Sequence, residues 1–142
     1  MKIRIALAAA ALFVAGCDTP SAIDGYTEDV RLEFSARSDI SGPSIPEPEL
    51  TFTGGDGEIV VEGRFSAGNP CQDVTANAVS ENGRLKLVVR VHAQQVICMA
   101  VVAHFEYTAR VLELPPGRYD LSVVHEYSGR TLFRRETQVT VR

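Results

Sequence analysis

The chain has 142 residues, with 14 Lys and Arg against 18 Asp and Glu for a net charge of −4, three Cys and no Trp. The length suits one domain with its own core. An acidic balance repels nucleic acid and anionic headgroups, so no nucleic-acid partner is expected.

The first element is a leader. Lys2 and Arg4 precede an apolar run from Ile5 to Val14, and Val14-Ala15-Gly16-Cys17 follows. A basic start, an apolar stretch and small residues before a cut site mark an export signal. The stretch is shorter than the roughly 20 residues that a membrane-spanning helix needs. V-A-G-C resembles the lipobox of small bacterial lipoproteins. That resemblance implies a cleaved signal peptide over 1–16, lipid on Cys17, and attachment to a membrane on the periplasmic side or at the cell surface. Asp18 resembles the signal that retains such proteins in the inner membrane. Residues 17–27 then read as the lipidated Cys and a tether, small and polar with no period, and 28–142 as the folded domain. Without Lys2 and Arg4, twelve basic residues face eighteen acidic ones, a net of −6.

From residue 28 onward the pattern has period two, the signature of half-buried strands. Val30, Leu32 and Phe34 alternate with Arg31 and Glu33. Residues 38–48 form a proline-rich loop, and Leu50 and Phe52 open a short strand. After the turn at Gly54-Gly55-Asp56-Gly57, Ile59, Val61 and Phe65 share one face and Glu62 and Arg64 the other. Val74, Ala76 and Ala78 lead to Asn82-Gly83, a strong hairpin signal because both residues accept positive φ. Leu85, Leu87, Val89 and Val91 form the next inner face. Val101, Ala103, Phe105, Tyr107 and Ala109 follow, opposite Val102, His104, Glu106, Thr108 and Arg110. Tyr119, Leu121 and Val123 mark another strand, and the turn at 128–130 leads into Thr131–Val141. Seven or eight strands with turns every 8–12 residues predict an all-β, antiparallel two-sheet sandwich without a second domain.

With Cys17 assigned to lipid, Cys71 and Cys98 remain as an even pair in an exported chain, and a disulfide is the expectation. Strand alternation supports it. If Asn82-Gly83 marks one pole, the segment at Cys71, the loop at 93–98 and the turn at 128–130 all reach the other. Leu114-Pro115-Pro116-Gly117-Arg118-Tyr119 resembles the tyrosine corner of immunoglobulin-like and fibronectin-type domains. The resemblance implies an immunoglobulin-like sandwich in which Pro116 and Gly117 shape the corner and the Tyr119 hydroxyl bonds back to it. The chain lacks the Trp of true immunoglobulin domains.

Few residues carry a chemical signature. No G-x-S-x-G, S-x-x-K or H-E-x-x-H occurs, nor a P-loop or dinucleotide fingerprint, so no catalysis and no cofactor are expected. Imidazole, thiolate and thioether suit copper, which makes His92 and His125, with Cys98 and Met99, the alternative of a periplasmic metal site. His92 falls on the outward phase of its strand and His125 on the inward one. His104-Phe105-Glu106-Tyr107 and His125-Glu126-Tyr127 are alike and suggest two strands pairing side by side with His and Glu outward. Glu47 and Glu49 read as a solvated loop. Arg130, Arg134 and Arg135 form a basic cluster suited to an acidic partner or to keeping an edge strand soluble. The expectation is a lipid-anchored accessory or protein-interaction module with an unidentified protein partner. The alternatives are the metal site and a protease-inhibitor-like module presenting the 38–48 loop.

Overall fold

The period-two segments form nine strands in a computed structural model, which describes residues 28–39, 43–81 and 83–142. The leader, Cys17, Asp18, the tether and Asn82 lie outside the described residues. The strands are β1 (Glu28–Asp29), β2 (Leu32–Asp39), β3 (Glu49–Gly54), β4 (Ile59–Ala67), β5 (Gln72–Glu81), β6 (Arg84–Ala93), β7 (Ala103–Val111), β8 (Gly117–Tyr127) and β9 (Arg130–Val141). One sheet has the order β1-β5-β6-β8-β9 and the other β2-β7-β4-β3. No helix long and apolar enough to cross a membrane occurs among the described residues.

Two expectations need correction. Among the described residues there are nine strands rather than seven or eight, because the predicted strand around Val30–Phe34 divides. β1 pairs with β5 in one sheet, the chain crosses over at Val30 and Arg31, and β2 pairs with β7 in the other. The crossing is held by Val30 N–H donating to the Ala78 carbonyl and Leu112 N–H to that of Arg31. The sheets are also not wholly antiparallel, since β6 and β8 are parallel neighbours, Leu85 beside Leu121 and Val89 beside His125. The cause is topological. β7 leaves for the opposite sheet, and the strands before and after it run in the same direction and close the gap. In an immunoglobulin sandwich the strand after the corner belongs to an antiparallel sheet; here that strand, β8, has a parallel partner on one side.

The core lies between the sheets. Ile59, Val61, Leu85, Leu87, Val89, Ala109, Val111, Leu121 and Val123 are buried, on the phases that alternation assigns them. Gly63 faces the core opposite Tyr107, and a Cβ there would collide with the tyrosine ring. The missing side chain makes room for the aromatic one.

The pole opposite the disulfide is closed by turns. Gly83 has φ 79°, the left-handed backbone that Gly tolerates best, and its carbonyl accepts from Asp120 N–H. Tyr119 Oη donates to the Pro115 carbonyl at 2.9 Å, and Gly117 opens β8 just past Pro116. Here also the last strand clasps the other sheet. Arg142 N–H donates to the Gly55 carbonyl, and Gly57 N–H to that of Arg142.

Candidate binding end

The opposite pole gathers the ends of β4, β6 and β8 and the starts of β5, β7 and β9. Cys71 and Cys98 are bonded here, with a Cα–Cα distance of 6.0 Å. Asn69 organises the approach to the bridge, its Oδ1 accepting from Cys71 N–H at 3.0 Å and from Gln72 Nε2 at 2.9 Å. Gln94 N–H donates to the Cys71 carbonyl, and Gln94 Nε2 to Asp73 Oδ1. The bridge thus pins the middle of the 94–102 segment, which connects the two sheets.

That segment is apolar and faces outward. Ile97 is fully exposed, Val96 and Met99 are more than half exposed, and Val101 and Val102 are partly so. Alternation predicts Val101 on the inner face, but β7 starts only at Ala103, so Val101 never enters the core. The signal was present in the sequence: V-I-C-M-A-V-V is an apolar run without polar alternation, interrupted by the bonded Cys.

At the same pole a cleft of about 620 Å³ opens between the sheets. Phe65, His125 and Phe133 lie within it, with Leu132 and Tyr127 on one side and Ile45, Pro46 and Pro48 on the other. The rings of Phe65 and His125 are 5.3 Å apart, as are those of His125 and Phe133. Gln72 also lines the cleft, and its Oε1 is buried without a hydrogen-bond partner among the described residues. Leu132 is 69% exposed, a large apolar side chain on the rim. The residues of this cleft come from four distant stretches of chain, which no local pattern connects.

The histidines take three different places. His92 is exposed on β6, opposite Asp73. His125 is buried on the inner face of β8, where its Nε2 lies 2.8 Å from Tyr107 Oη across the sandwich. Burial lowers the His125 pKa to about 4 and raises that of the Tyr107 hydroxyl well above its ordinary value. At neutral pH the tyrosine is therefore the donor and the neutral imidazole the acceptor. His92 and His125 point to opposite faces of one sheet and do not converge, and both cysteines are in the bridge. Among the described residues no three His, Cys, Asp or Glu side chains come together in a way that could hold a metal ion.

The suggested side-by-side pairing of the two His-x-Glu-type strands is overturned. β7 and β8 lie in different sheets, because the corner at Pro115–Gly117 carries the chain across. His104 is on the outer face but buried, with its Nδ1 3.0 Å from Ser66 Oγ. That hydroxyl also accepts from Ile45 N–H at 2.7 Å. The described part of the proline-rich loop, 43–48, is thereby attached to β4 and forms a cleft wall rather than a projecting loop. Glu106 is a solvated partner of Arg37 and Arg64.

Charge is unevenly satisfied. Arg31, Arg37, Arg64, Arg90 and Arg110 each form an ion pair, Arg110 with Glu58 at 2.7 Å among them. Arg130, Arg134 and Arg135, all exposed on β9, have no ion-pair partner among the described residues. Comparisons with protein-family models, with curated proteins and with solved structures found no match.

Proposed function

We propose that this chain is a lipid-anchored bacterial lipoprotein that acts as a non-catalytic interaction module, docking a partner protein at its disulfide end. The observation that carries the reading is the apolar segment Val96–Val102, held outward by the Cys71–Cys98 bridge at the same pole as an open cleft. Large exposed apolar side chains gathered in one place mark interaction surfaces. The anchor is argued from V-A-G-C and from the basic and apolar residues before it. The likeness to immunoglobulin-type domains belongs to the same proposal and rests on the corner at Pro116, Gly117 and Tyr119.

Orientation favours a protein partner over a lipid one. Glu28 pairs with Ser80, near the Gly83 turn, so the tether joins the domain at the pole opposite the disulfide. A chain anchored through Cys17 then presents its binding end away from its own membrane. No observation favours the metal or inhibitor alternatives, since the histidines diverge and the 43–48 segment is attached to the body.

The test is recovery of a partner after crosslinking in intact cells, comparing the natural chain with Ile97→Asp/Met99→Asp. Both side chains are exposed, so the variant should melt within about 2 °C of the parent. Recovery of the partner should fall by about tenfold or more. Undiminished recovery would reject this end as the docking surface. Palmitate labelling that persists in Cys17→Ala would reject the anchor.

A further inference from the structure

We propose that the free edge of β9, from Arg130 to Glu136, is the docking strip for an extended acidic segment of the partner protein. The segment pairs with β9 as an added strand and places an apolar side chain in the adjoining cleft. This rests on the reading of the disulfide end as an interaction surface and specifies what that surface recognises.

The edge is open only along this half. β9 is the last strand of its sheet, with β8 on one side. Towards its C-terminal end the other side is occupied: Gly54 abuts the Thr140 carbonyl, and Arg142 is bonded to Gly55 and Gly57. From Arg130 to Glu136 no backbone partner lies on that side among the described residues. Every second residue of an edge strand directs its N–H and C=O outward, which makes the edge a template for one more strand.

Charge selects the occupant. Arg130, Arg134 and Arg135 stand unpaired along the open half, in a chain whose net charge is negative. Antiparallel β9–β9 pairing centred between Arg134 and Arg135 would set Arg134 of each copy opposite Arg135 of the other. Like charges directly opposite one another destabilise a strand pair. The arginines that discourage self-pairing attract Asp and Glu on a different chain.

The cleft supplies the second determinant. It opens along the same half of β9, with Leu132 and Phe133 on the strand side and Ile45, Pro46 and Pro48 across from them. An added strand alternates its side chains. One phase can enter the cleft while the flanking carboxylates meet the arginines. The sequence class recognised is therefore Asp or Glu together with Leu, Ile, Val or Phe at alternate positions.

The experiment places a photocrosslinking residue at Leu132, at Ile97 or, as control, at exposed Thr75 on β5, in the full chain with its own leader in its bacterial host. We expect an adduct from position 132 in which the linked partner peptide is net acidic with alternate apolar residues. Arg134→Glu/Arg135→Glu should cut that adduct by about tenfold or more with melting unchanged, while Arg134→Lys/Arg135→Lys retains most of it. The proposal is overturned by an adduct to a second copy, to lipid or to a peptide without acidic residues, and equally by a yield that ignores charge reversal. An adduct at Ile97 with none at Leu132 overturns the docking strip and leaves the binding end standing. No adduct above the Thr75 control at either position overturns both.

Discussion

Tyr107 and His125 meet across the middle of the sandwich, and their contact makes stability depend on pH in a definite direction. His125 titrates near 4 in the fold because burial disfavours its charged form. In the unfolded chain it titrates near its ordinary value of about 6.5. Between these values the unfolded chain binds more protons, so stability is full above about pH 6.5 and is lost progressively towards pH 4. The full difference is about 3 kcal/mol, of which about 2 should be gone at pH 5. Urea midpoints at pH 7 and pH 5, for the parent and for His125→Gln, measure it. The variant should show a flatter response, and equal losses in both proteins would remove His125 as the cause. His92 lies in the same sheet but on its outward face, which illustrates how strand phase divides two residues of the same type.

At the scale of elements, the disulfide and the 94–102 segment belong together. The bridge closes a loop with a sequence separation of 27, for which chain entropy gives about 3.5 kcal/mol. Cys71→Ser/Cys98→Ser should lower the urea midpoint accordingly and weaken partner binding, because Ile97 and Met99 lose the pin between them. A variant with unchanged midpoint and binding would reduce the bridge to ornament. Much of this level was legible in the sequence. Period two located the strands after Leu50, the Gly-rich turns and the corner marked their ends, and alternation carried both cysteines to one pole. What escaped was set by neighbours rather than by local pattern. The crossing at Val30–Arg31 depends on which sheet has room for each half of the strand. His104 is on the solvent phase yet buried, with Ile45 bonded to its Ser66 partner. The cleft assembles residues 45–48, 65–72, 91 and 125–133, which are brought together only when the sheets stack.

For the molecule as a whole, the two sheets are tied at both edges, by the β1–β2 crossing on one side and by Arg142 with Gly55 and Gly57 on the other. The second tie makes the last residues structural. Deleting residues 139–142 removes buried Val139 and Val141 together with both clasp hydrogen bonds. The cost should be at least about 4 kcal/mol, a large share of the 5–15 kcal/mol typical of a domain. Loss of the cooperative melting transition is the expected result, and a truncated chain that melts like the parent would reject the clasp. This final strand is also the one that carries the proposed docking strip, so closure and recognition share a single element. In chain order β9 follows every other described strand. Until it is in place, β8 lacks its hairpin partner and the cleft lacks Leu132 and Phe133, so the recognition end cannot exist before the fold closes.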